Sequence, residues 1–238
     1  MKKIIVLMTM LMMVGVNAYA DPTPEQILQK VSDMGVRIID MKANIVNTAT
    51  LKKAGQPEQI IGQYNRVYYQ KKPNKLKVDN PLDGSFYIIN GDKLYLKEAG
   101  KDLVETPNNE SYMSQMDYIY NLPTFIANNE IIIDSQFVKD GSQYYVVKAI
   151  PKATPKPYND MLLTVNYDQG TISKMELYIL GNEIVLSNES LEFTTIDSIS
   201  IPSKTQETKY YADATVVTNV QYSNIQLNKG LDDSIFTP

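Results

Sequence analysis

The sequence predicts a mainly β, α+β fold in which one strongly curved antiparallel sheet is covered by an N-terminal helix and a short helical insert. Three observations carry that reading. Beyond residue 43, apolar residues recur with a period of two in one segment after another, and Gly, Pro and Asn punctuate the segments. Helical spacing is confined to residues 23–42 and 111–128. No strand–helix–strand rhythm runs through the chain, so a parallel sheet is not expected. Bending so many strands over one apolar face either closes a barrel or leaves a half-barrel whose mouth the helices must cover.

The first twenty residues read as an export signal outside the fold. Lys2 and Lys3 precede an apolar run over 4–16, and Ala18-Tyr19-Ala20 offers a small-x-small cleavage site. The run is short of the roughly 20 residues that a membrane-spanning helix needs. Residues 21–238 are then expected to form a single domain, exported to the periplasm, free in solution and in transient contact with membranes at most. Cysteine is absent, which excludes disulfides and a lipobox anchor.

A helix is expected from Thr23-Pro24-Glu25-Gln26, where Thr23 can cap, Pro24 suits the first turn and Gln26 completes a capping box. Ile27, Val31, Met34, Ile38 and Met41 make its apolar stripe, which predicts an end near Lys42. Strands follow at 44–51, 60–71 and 75–79. In the last of these, Leu76 and Val78 share one face and the lysines point to water. The Asn90-Gly91 step predicts a tight hairpin between 85–89 and 93–96. Met113, Met116, Ile119, Leu122, Phe125 and Ile126 recur at mostly helical spacing, with Pro123 marking a break. Seven further strands are expected at 130–138, 143–150, 161–167, 172–180, 183–193, 201–211 and 215–226.

Composition excludes several chemistries. Without histidine or cysteine there is no Ser-His-Asp or Cys-His nucleophile and no imidazole or thiolate metal site. Phosphate-cradling glycine loops are missing too, so neither metal nor cofactor is expected. A two-carboxylate glycosidase built on Asp232-Asp233, or on Asp79 with Asp83, ranks last among the readings. Removing Lys2 and Lys3 takes 23 basic against 27 acidic residues to 21 against 27, a net −6. Nucleic acid is therefore not an expected partner.

Three motifs occur in a telling order: Val67-Tyr68-Tyr69-Gln70-Lys71-Lys72-Pro73-Asn74-Lys75-Leu76-Lys77-Val78, then Tyr87-Ile88-Ile89-Asn90-Gly91-Asp92-Lys93-Leu94-Tyr95-Leu96, and finally Gly230-Leu231-Asp232-Asp233-Ser234-Ile235-Phe236. Together with the N-terminal helix, this order resembles the outer-membrane lipoprotein carrier and lipoprotein-sorting (LolA-like) family. The resemblance implies an incomplete β-barrel with a helical lid, and a monomeric, non-enzymatic carrier of acylated lipoproteins or lipids. It also implies an inner-membrane export complex as donor and an outer-membrane protein as acceptor. In the family an arginine before the turn proline holds the lid shut; here Lys72 stands there, a point-charge donor on a flexible stem rather than a planar fork.

On this resemblance the expected lipid-binding residues are Tyr68, Leu76, Val78, Tyr87 and Ile89 on the strands and Met113, Met116, Ile119, Leu122, Phe125 and Ile126 on the insert, with Lys72 closing the lid. Alternation alone does not distinguish a hollow interior from a filled one, and the insert's spacing equally fits ordinary core. A second class of function stays open: a β-rich binding or envelope-assembly module that presents some of its 17 tyrosines to glycan or protein.

Overall fold

The computed structural model describes residues 21–108, 121–154, 156, 158–179 and 183–238. Residues 1–20, where the export signal is expected, lie outside them, as do Met113, Met116 and Ile119. Helix α1 (Pro24–Val36) begins as its capping box dictates: the Gln26 amide donates to Thr23 Oγ1 at 3.3 Å, and the Thr23 amide donates to Gln26 Oε1 at 2.8 Å. Its end comes several residues before Lys42. The amides of Arg37 and Ile38 turn back onto the Met34 and Gly35 carbonyls, and Ile39 donates to the side chain of Asn228 at 2.7 Å. Asn228 in turn donates to the Arg37 carbonyl at 2.8 Å, so a residue from the far end of the chain draws 37–40 out of the helix and into the sheet.

Thirteen strands then form one antiparallel sheet. On one side of the insert lie β1 (Asp40–Lys53), β2 (Gln59–Lys71), β3 (Lys75–Asp79), β4 (Phe86–Asn90), β5 (Lys93–Lys97) and β6 (Val104–Pro107). After helix α2 (Leu122–Asn128) come β7 (Asn129–Lys139), β8 (Ser142–Pro151), β9 (Asp160–Asn166), β10 (Thr171–Ile179), β11 (Glu183–Ile196), β12 (Ile199–Tyr210) and β13 (Ala214–Leu227). The order across the sheet is β6-β5-β4-β3-β2-β1-β13-β12-β11-β10-β9-β8-β7. The chain thus starts in the middle, meanders to one edge, crosses through 108–128 to the other edge, and meanders back until β13 pairs with β1. The sheet is not closed into a barrel, since β6 and β7 are its two ends. Strand β6 is absent from the sequence-based assignment because Val104-Glu105-Thr106-Pro107 holds a single apolar residue; its register on β5 makes it a strand.

Within the tight β4–β5 hairpin only Gly91 takes a positive φ, +63°, and Asn90 stays in the strand opposite Lys93. Pro123 falls in the first turn of α2, where a missing amide costs nothing; residues 109–120, where the preceding part of the helical insert is expected, lie outside the described residues.

Three apolar clusters fill much of the concave side. Ile27, Leu28 and Val31 of α1 meet Leu122 and Phe125 of α2 over the inner faces of β8–β11. Met41, Ile199, Ile201 and Leu227 form a second cluster around β1, β12 and β13. Leu76, Val78, Ile89 and Leu94 form a third on β3–β5. The opposite face of β2–β4 is not wholly wet, as the lysine pattern suggests: Lys71 and Lys75 both bind Asp233, at 2.7 and 3.0 Å, and the C-terminal 3-10 turn (Asp233–Phe236) lies on β3 and β4 with Phe236 fully buried. Local alternation cannot show that a distant tail returns to cover such a face.

Candidate functional site

Between α1 and the concave sheet lies a cavity of about 230 Å³. The helix supplies Val31, Met34 and Gly35, and Ile38 follows from the turn after it; β1 and β2 supply Met41, Tyr68 and Gln70; β10–β13 supply most of the rest, including Ile172, Met175, Phe193, Ile201 and Tyr222. Its origin is steric. The N-terminal half of α1 is packed solidly against α2 and β8–β11, while its C-terminal half stands over Ser190 and Thr205, cross-strand partners whose short side chains leave the space between helix and sheet unfilled.

Some polar groups in the wall find partners beside them, whereas the buried Thr171 hydroxyl has none among the described residues. Ser190 Oγ donates to the Ile172 carbonyl at 3.2 Å, and the Tyr68 hydroxyl donates to Gln70 Oε1 at 3.0 Å. Burial pushes the Tyr222 phenol above its ordinary value, with a smaller contribution from nearby Tyr87, so it stays neutral at physiological pH. The surface left for a guest is mainly apolar, and three of its residues, Met34, Met41 and Met175, are methionines, whose flexible thioethers adapt to irregular shapes.

Among the described residues, these polar contacts hold α1 over this space. Lys72 Nζ donates to the Gly35 carbonyl at 2.6 Å, and Arg37 extends both guanidinium arms, at 3.2 Å each, to the carbonyls of Asp197 and Ser198 in the β11–β12 turn. Farther up, Lys30 donates to the Tyr167 carbonyl at 3.0 Å with its ammonium 3.8 Å from the ring centre of the same tyrosine. Gly170 lets the helix come this close: it has φ +63°, and a Cβ there would sit 2.8 Å from the Lys30 carbonyl oxygen.

The residues expected from sequence are spread over three places. Tyr68 lines the cavity. Leu76, Val78 and Ile89 are buried together on the same concave face, with Tyr87 packed against them, outside the wall of this cavity. Leu122 and Phe125 sit deep in the main core, 4% and 1% exposed, with Ile126 against it. Lys72 donates to the Gly35 carbonyl of α1. The lining residues of β10–β13 were not selected from sequence. Their alternation was visible, but the registers that place Ser190 beside Thr205, and Thr205 beside Val220, come from pairings that local pattern does not encode.

A family profile described as an uncharacterized protein matches residues 124–238. No curated protein sequence matches the chain. Among solved structures, the chain is similar to a DUF1329 family protein from Desulfovibrio piger, with 16% identity, TM-score 0.65, and coverage of 90% of this chain and 95% of that one. It is also similar to a LolA superfamily protein from Nitrosomonas europaea, with 17% identity, TM-score 0.61, and coverage of 91% and 98%. A third likeness is to an outer-membrane lipoprotein-sorting protein domain from Vibrio parahaemolyticus, with 14% identity, TM-score 0.63, and coverage of 90% and 97%. At such identities the likeness speaks to architecture. An open thirteen-stranded sheet with a helix seated on its concave side, superposable over nearly the whole of these chains, shows that this protein has the LolA-like fold.

Proposed function

We propose that this protein is a periplasmic carrier that takes the acyl chains of lipoproteins or lipids into the cavity under α1 and passes them toward the outer membrane, without chemistry of its own. The observation that carries the reading is the cavity itself: about 230 Å³ of mainly apolar wall between a curved sheet and a helix that is pinned by a handful of polar contacts. An acyl chain of about 14 buried methylenes gains roughly 11 kcal/mol from leaving water, at about 0.8 per methylene, so such a guest needs no charged partner. Among the described residues no helix is long and apolar enough to cross a membrane.

The present cavity is smaller than the roughly 300–1,000 Å³ of a well-formed ligand site. Loading a full chain therefore requires α1 to lift, and the Lys72 and Arg37 contacts are what it must release. Donor and acceptor complexes on the inner and outer membranes follow from the same reading, as does cleavage after Ala20. The test is direct: recover the protein from its native periplasm, or after mixing with a lipoprotein, and identify bound acylated cargo by mass spectrometry. Carriage predicts co-purifying lipid or lipoprotein; a lipid-free protein that cannot keep a lipoprotein in solution rules it out.

A further inference from the structure

The two ends of the sheet are built differently. Strand β6 has four residues and finishes on Pro107, a short, proline-blunted edge that resists further pairing. Strand β7 has eleven residues and no proline, and among the described residues it pairs on one side only, with β8. It also exposes Ile132, Phe137 and Val138, at 40%, 42% and 68%. A long edge with apolar side chains in water is a template for another strand.

The edge is complementary to itself in one register. Opposite β8, Ile131 and Ile133 share the concave face with Gln136 and Val138, whereas Glu130, Ile132, Phe137 and Lys139 share the convex face. The odd spacing between Ile132 and Phe137 becomes same-faced because Asp134 is bulged out of the β8 register. Antiparallel partners must point to the same face. A twofold axis passing between Asp134 and Ser135 meets that condition along the strand: it sets Glu130 against Lys139, Ile131 against Val138, Ile132 against Phe137 and Ile133 against Gln136. Shifting the axis by two residues toward Lys139 places Asp134 opposite Lys139 but also Gln136 opposite Phe137, which point to opposite faces.

We propose that β7 pairs antiparallel with β7 of a second copy of this chain in that register, joining two sheets edge to edge with an Ile132–Phe137 contact and a Glu130–Lys139 ion pair at each end. The cavity, under α1 at the middle of the sheet, is left free, so the proposal stands apart from carriage.

Sedimentation equilibrium of the purified protein across a range of concentrations tests it, with Glu130→Lys, Lys139→Glu and the double exchange alongside. Both charged side chains are exposed, and circular dichroism verifies that the sheet is retained. The wild type is expected to dimerise reversibly; each single reversal sets like charges opposite at both ends and weakens association by about tenfold, and the double exchange restores it. A wild type that sediments as a monomer throughout overturns the proposal, as does a dimer indifferent to the single reversals. So does a dimer that the double exchange fails to rescue.

Discussion

Gly170 and Asp233 show how single residues set the position of larger parts. Gly170 lies in the left-handed region, at φ +63°, and its missing side chain is the space into which the Lys30 carbonyl fits. Gly170→Ala combines a backbone strain of about 1–3 kcal/mol with a contact against main chain that cannot rotate away. The expected result is a lower melting temperature together with faster amide exchange in α1. Asp233 is held below the ordinary carboxylate value of about 3.9 by hydrogen bonds from Lys71 and, next, Lys75. Because its folded value lies below the unfolded one, its contribution is complete above the unfolded value and disappears as pH falls through the folded one. Residues 230–236 are therefore expected to lose amide protection below about pH 4. In Asp233→Asn that protection is already weakened at neutral pH and shows a smaller acid step.

At the level of elements, the two helices do different work. Phe125 of α2 is 1% exposed in the main core with Ile27, Leu28 and Val31, so it is an anchor, and a charge placed there unfolds the seat instead of altering a lid. Phe125→Ala is expected to cost about 3–5 kcal/mol, read from the shift of the urea midpoint. By contrast, the C-terminal half of α1 covers the cavity and is fastened by polar contacts, of which Lys72 to Gly35 is the shortest. Lys72→Met is expected to leave overall stability within about 1 kcal/mol while raising the rate at which a fluorescent fatty-acyl probe enters the protein, measured by stopped flow. An unchanged entry rate would remove Lys72 from the latch. The capping box at Thr23 and the stripe from Ile27 to Val31 made the start of α1 readable in the sequence; its end was not, because Asn228 sets it from 189 positions away.

For the whole molecule, the decisive junction is where the chain's two halves meet. Strands β1 and β13 are central neighbours although they lie at opposite ends of the chain, and Asp40 sits at their joint. Its carboxylate, 3% exposed, accepts the amides of Lys229, Gly230 and Leu231 at 3.0, 2.9 and 3.3 Å. Asp40→Asn turns one acceptor into a donor facing these amides and is expected to destabilise the protein by about 1–3 kcal/mol in urea unfolding. An unchanged m-value would show that the sheet still unfolds as a unit. A half-barrel assembled from such distant partners also predicts slow folding, since loop closure precedes the contacts that reward it.

The sequence by itself determined the class of fold, the number and period of most strands and the Leu76–Val78 face, because each depends on neighbours within a few residues. Only the tertiary structure decided where α1 stops, that Val104–Pro107 is a strand, that Leu76, Val78 and Ile89 are buried together, and that a cavity lies beneath Met34 and Ile38. Whether an apolar face is filled or empty depends on the size of the side chain that arrives opposite it. That is a matter of register between strands far apart in the chain, which no local period records.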